Sequence, residues 1–197
     1  MKRRVILVAI LLILGCVRAE PRAPEPPKAE ASGDIKSFDI RLPRPTSEAD
    51  AAYLGLEAFA GPFRMHQIKA RVLVVEVFDM YCRFCQRAAP EVNAVYELSL
   101  KSALGKDMKM IGIGRTNTAL EVSTFKENYE VRFPLFADRD LLITRALEAQ
   151  DEGTPHFIVI RLEPGGGATV VHRSTGAFED PEAFFEAILE RSGLRKE

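Results

Sequence analysis

Runs of β-branched apolar residues alternate with stretches of helical period along most of the chain. "RVLVVEVF", Arg71 to Phe78, is continuously apolar but for Glu76, the pattern of a strand buried on both faces. From Cys82 to about Lys101 the pattern turns helical, with Pro90 inside it. "MKMIGIG" predicts a strand, "TALEVSTFKENY" a helix, "FPLF" a short strand and "DRDLLITRALEAQ" another helix. "HFIVIRL" and "ATVVHRS" predict two strands, joined by a hairpin turn over Glu163-Pro164-Gly165-Gly166-Gly167. Asp180-Pro181-Glu182 opens a last helix with a cap, a first-turn proline and an acid on the dipole; Phe184, Phe185, Ile188 and Leu189 form its core stripe. Ahead of all these, "SFDIRL" alternates like a strand, "TSEADAAYLGLEAF" predicts a helix, and Gly61-Pro62 breaks it. The order implies an α/β class with a mixed central sheet flanked by helices on both faces.

The N-terminal residues follow a different pattern. "MKRR" is a basic lead and Val5 to Gly15 is an apolar run of eleven, too short to span a bilayer and suited to the hydrophobic region of a secretory signal. Ile13-Leu14-Gly15-Cys16 resembles the lipobox of bacterial lipoproteins, which makes 1–15 the signal and Cys16 a lipidated first residue. Ordinary cleavage after Val17-Arg18-Ala19 is the alternative. Residues 16–34 read as a tether: Val17 to Asp34 holds four prolines and almost no large apolar side chain. At ~3.1 Å per residue it reaches roughly 55 Å. The domain proper is expected over 35–197.

Charge changes this picture little. The formal net charge of −1, with no basic excess, gives no support to a nucleic-acid partner. Loss of Lys2, Arg3 and Arg4 with the signal brings it to −1 − 3 = −4.

Cysteine usage changes it more. There are three cysteines. With Cys16 carrying lipid, Cys82 and Cys85 form a self-contained pair suited to an oxidising compartment. Haem attachment would need His after the second cysteine, where Gln86 stands. Structural zinc needs four ligands, and only His66, His156 and His172 accompany the pair. The peroxiredoxin pattern expects Thr or Ser three residues before the reactive cysteine and Pro seven before; Asp79 and Val75 stand there. A bridge across so short a loop stabilises little. A redox pair fits. Cys82, at a strand–helix junction beside Arg83, would be the exposed thiolate, and Cys85, one turn inward, its buried partner.

Residues from about 63 to 192 resemble the TlpA-like thioredoxin-fold thiol–disulfide oxidoreductases of bacteria, in lipoprotein form. The Cys-x-x-Cys follows the apolar strand, Glu76 lies six residues before Cys82, and Pro90 lies eight after it. "GTPHFIVI" resembles the family's cis-proline strand, with Thr154 before Pro155, and Gly176 resembles the glycine after the hairpin. The segment from Met108 to Asp138 resembles the family's strand–helix insertion before that proline. Two features depart from the pattern: Tyr81 replaces the usual Trp, and the intervening dipeptide is Arg83-Phe84, without the proline often found there; Phe78 occupies another position where an aromatic is expected.

The resemblance implies catalytic roles for Cys82, Cys85 and Glu76, the glutamate taking a proton from Cys85. It implies substrate contact at Thr154, Pro155 and Tyr81. His156 is expected to point away from the site, and "GIGRTN" is a strand end, not a nucleotide loop. The implied protein is a periplasm-facing, lipid-anchored oxidoreductase of the bacterial envelope, needing no cofactor or metal. It would act on protein thiols and disulfides, as a reductant supplied by a membrane electron donor. A copper carrier using the two cysteines and His156, and a partner-binding module with an inert disulfide, are the rival classes.

Overall fold

The computed structural model describes residues 33–34, 39–57, 61–163 and 167–194. The signal 1–15, Cys16 and most of the tether lie outside the described residues, as do Pro164 to Gly166 of the hairpin turn.

Among the described residues eight strands and five α-helices follow one another: β1 (Gly33–Asp34), β2 (Arg41–Leu42), α1 (Glu48–Tyr53), β3 (Phe63–Arg64), β4 (Val72–Phe78), α2 (Arg83–Lys101), β5 (Met108–Arg115), α3 (Ala119–Asn128), β6 (Leu135–Asp138), α4 (Leu142–Ala146), β7 (His156–Leu162), β8 (Ala168–Thr175) and α5 (Pro181–Ser192). The main sheet has the order β1-β8-β7-β4-β5-β6. β4, β5 and β6 run parallel, while β7 and β8 are antiparallel neighbours on the other side. This is the mixed α/β architecture that the alternating pattern implied, with β5, α3 and β6 inserted before the proline loop.

β4 sits centrally, and every residue of it is buried. Its alternation divides the core in two. Val72, Val74 and Phe78 face α2, α3 and α5; Leu73, Val75 and Val77 face α4 and the β2–β3 pair. Phe78 stacks on Phe125 of α3 with centroids 4.5 Å apart, which locks the inserted helix onto the strand that leads to the cysteines. Gly112 and Gly114 of β5 explain the "GIG" run: a Cβ there would lie 2.3 Å from Leu135 Cδ2 and 2.6 Å from Val122 Cγ2. They are close-packing glycines inside a strand.

Four elements differ from expectation. Of "SFDIRL", the described residues Asp39 to Leu42 form a strand at Arg41–Leu42 alone, which pairs with Phe63–Arg64 outside the main sheet. α1 stops at Tyr53, because Gly55 adopts a φ of +70° and the chain turns back with Leu56 N–H on Ala51 O. α4 is confined to Leu142–Ala146: the buried Asp138 carboxylate accepts the Ile143 and Thr144 N–H groups, and Glu148 at φ 55° closes the other end. Gly33–Asp34, the end of the tether segment, pairs with Val170 and Thr169 of β8.

Candidate functional site

The cysteines stand where β4 delivers the chain to α2. Cys82 is the N-cap of α2, and its N–H is held by Asp79 O at 3.0 Å. Cys85, one turn on, is fully buried. Both are free thiols in this structure. The Cys82 thiol donates to Thr154 O at 3.3 Å, across 72 residues of sequence. The bond between Thr154 and Pro155 is cis, and Pro155 O accepts Gly176 N–H at 2.8 Å. The proline loop therefore lies against the exposed sulfur.

The two sulfurs differ electrostatically. For Cys82, partial burial is the largest influence and opposes ionisation. Hydrogen bonds from the Thr154 side chain, the N–H groups of Cys85 and Phe84, and the Cys85 thiol outweigh it together, so the thiol sits below its ordinary value. For Cys85 burial dominates and drives the thiol far up, and the nearby Glu76 charge adds to the rise.

Glu76 lies on the α2-facing side of β4, between Gly112 on β5 and Phe157 on β7. It is 2% exposed, Oε1 has no hydrogen-bond partner, and burial pushes its carboxyl up to about 8. The fold thus brings Cys82, Cys85, Glu76, Thr154 and Pro155 to one place.

His156 is not among them. It pairs with Val77 and so points to the opposite face of the sheet from Glu76, with Nδ1 2.7 Å from Thr175 Oγ1. Burial holds its pKa down at about 4. A copper ligand set of both cysteines and His156 is not assembled here. Among the described residues no cluster of His, Cys, Asp and Glu is placed to hold a metal ion. The Arg83 guanidinium lies 5.3 Å over the Phe84 ring; the groups that hold the Cys82 thiol down are Thr154, the N–H groups of Cys85 and Phe84, and the Cys85 thiol.

Tyr81 is 69% exposed, and its hydroxyl donates to Glu121 Oε1 at 2.6 Å. Glu121 closes the capping box of α3, its other oxygen accepting the Thr118 N–H and hydroxyl. Three residues of this support were not anticipated from sequence. Asn117, buried, accepts Met80 N–H at 2.9 Å and donates to Asp79 Oδ1 at 3.2 Å. Asp79 Oδ1 also accepts Tyr81 N–H. Together Asp79, Asn117 and Glu121 pin the loop that presents Cys82. The Thr118-x-x-Glu121 box was the only local signal for them; the reach of Asn117 back to Met80 has none.

The chain matches the AhpC/TSA family over residues 48–174. No curated protein matches it. Among solved structures it is similar to a secreted disulfide oxidoreductase of Mycobacterium tuberculosis, at 19% identity, TM-score 0.50, covering 66% of this chain and 88% of that one. It is similar to a thiol:disulfide interchange protein of the thioredoxin family from Chlorobium tepidum, at 17% identity and TM-score 0.52, covering 67% and 87%. It is also similar to a secreted thiol-disulfide isomerase from Corynebacterium glutamicum, at 12% identity and TM-score 0.54, covering 68% and 78%. These likenesses establish the thioredoxin-like fold.

Proposed function

We propose the following for a chain that belongs to the AhpC/TSA family: it is a thiol–disulfide oxidoreductase, tethered to a membrane of the cell envelope, that reduces protein disulfides through Cys82 and Cys85. The observation that carries this is the asymmetry of the pair. One thiol is accessible, with its pKa lowered, beside a cis-proline loop; the other is buried, with its pKa raised, beside a buried carboxyl.

In the first step the Cys82 thiolate attacks one sulfur of a substrate disulfide. The substrate S–S bond breaks, a mixed disulfide forms, and the departing sulfur takes a proton from solvent. Thr154 offers backbone for pairing with an extended substrate segment, and Tyr81 and Pro155 line its path. In the second step Glu76, once its own proton has passed to solvent, accepts the Cys85 proton as a carboxylate. The Cys85 thiolate then attacks Cys82 Sγ, the mixed disulfide breaks, and the second substrate sulfur leaves and is protonated. Two electrons have passed to the substrate, and Cys82 and Cys85 are left oxidised. A membrane electron donor restores them.

Lipidation of Cys16 would supply the tether. It rests on the lipobox-like Ile13-Leu14-Gly15-Cys16 and the proline-rich stretch after it. The secreted character stated for the Mycobacterium and Corynebacterium relatives supports an extracytoplasmic setting. Among the described residues no helix is long and apolar enough to cross a membrane.

Cys85→Ser tests the roles. It should accumulate mixed disulfides with natural partners through Cys82, and Cys82→Ser should not. Trapping through Cys85 would reverse the roles. Absence of trapping, together with a wild type that cannot reduce a test disulfide, would sink the reading. A potential near about −270 mV agrees with a reductant, and one near about −120 mV would overturn that direction.

A further inference from the structure

The surface beside Cys82 carries open positive charge next to open apolar surface. Phe84, between the two cysteines, is 49% exposed. The Arg83 guanidinium lies 5.3 Å and the Arg87 guanidinium 6.0 Å from its ring centroid. Among the described residues no ion pair engages either arginine. Glu91, one turn beyond Arg87, forms no ion pair with it, and its Oε2 has no hydrogen-bond partner.

The acids around the site are held by neutral groups elsewhere: Asp79 accepts Tyr81 N–H and Asn117, Glu121 holds Tyr81 and Thr118, and Glu152 accepts the Thr175 hydroxyl. A segment crossing the Phe84 ring therefore meets two guanidiniums that, among the described residues, have no carboxylate within ion-pair distance.

We infer that this surface selects protein substrates whose reactive cysteine is flanked by acidic side chains. The inference rests on the oxidoreductase reading above and names its substrate class. An extended segment with its sulfur on Cys82 and its backbone along Thr154 advances ~3.3 Å per residue. A carboxylate two or three positions from the substrate cysteine then lies about 7–10 Å from the sulfur, within reach of long arginine side chains on the first two turns of α2. Guanidinium matches carboxylate with paired N–H donors, and the Phe84 face excludes water on one side of the contact. A lysine at the same place would meet two like charges.

The test uses the mature protein and three cyclic peptides that share one disulfide and carry Glu, Gln or Lys two positions from the attacked cysteine. The rate constant kcat/KM should fall in the order Glu, Gln, Lys, by about tenfold in all at low ionic strength, on the order of two exposed ion pairs. The spread should shrink to about twofold in 1 M salt, where the screening length is about 3 Å. The Glu-to-Lys ratio is read within each protein, so loss of overall activity does not confuse it. Arg87→Gln should reduce that ratio about threefold, and Arg83→Gln with Arg87→Gln should bring it near unity. Equal rates for the three peptides, or a ratio that survives the double substitution, overturns the inference. Failure of the wild type to reduce even the neutral hydroxyethyl disulfide would instead overturn the oxidoreductase reading.

Discussion

Replacing Glu76 by Gln removes a titrating proton from the centre of the sheet and leaves the shape nearly unchanged. The carboxyl is 2% exposed and is pushed by burial from its ordinary 4.5 to about 8. Between those values the folded chain holds a proton that the unfolded chain has released. The contribution of Glu76 to stability is therefore fully present below pH 4.5 and is lost as pH rises through about 8. Within the window each pH unit is worth ~1.4 kcal/mol. His156 and His172 act in the opposite sense. Burial lowers both from 6.5 to about 4, so their contributions are lost as pH falls below 6.5. At pH 6.5 the unfolded-state histidines are still half charged and they become neutral in both states toward pH 8; this titration is common to wild type and Glu76→Gln, so in the difference Glu76 stands out. Integrated over that interval, with the slope halving near the folded pKa, the wild type should lose about 1–2 kcal/mol relative to Glu76→Gln. Urea unfolding of both reduced proteins at half-unit steps of pH measures this, and titrations common to the two cancel in the difference. In stopped-flow assays the same variant should slow resolution by Cys85 while sparing attack by Cys82. Parallel stability curves from pH 6.5 to 8 would refute the buried, protonated carboxyl.

Alkylation of the reduced protein by iodoacetamide should modify Cys82 with a midpoint below the ordinary thiol value of 9.0 and leave Cys85 untouched until unfolding; mass spectrometry of the modified peptide decides it. Asn117→Ala leaves Met80 N–H without its acceptor and should cost about 1–3 kcal/mol. It should also slow attack at a fixed thiolate concentration, and an unchanged Tm and rate would show that Asn117 does not pin the loop. Gly112→Ala places a Cβ 2.3 Å from Leu135 Cδ2 and should destabilise by about 1–3 kcal/mol, with Leu135→Ala in the same chain relieving the clash. Cys16→Ala should release the mature protein from membranes on fractionation; a mature chain already soluble and beginning at Glu20 would refute lipidation.

The elements legible in the sequence were those whose signals are local. β4, β7, β8 and α5 follow from unbroken apolar runs and from the Asp180-Pro181 cap, and their limits agree closely with the pattern. α1 and α4 were overextended because their ends depend on backbone turned to positive φ at Gly55 and Glu148, and only the glycine is marked in sequence. The same division holds at the site. The cysteine spacing, Glu76 and the Thr154-Pro155 pair stand in a recognisable register. The Asn117 contact spans 37 residues and leaves no periodic trace. Arg83 illustrates a third case: its nearness to Cys82 in sequence was plain, but the seat of its guanidinium over the Phe84 ring has no marker in the pattern.

Glu121 uses one carboxylate oxygen to start α3 and the other to hold Tyr81. One lip of the cysteine site thus belongs mechanically to the inserted segment, far along the chain from the cysteines. Tilting α3 would move Tyr81 and, through Asn117, the Asp79–Met80 turn ahead of Cys82, while Thr154 on the other side of the thiol answers to the proline loop. Under the proposed reading, the two walls of the substrate path would then be carried by separate stretches of the chain.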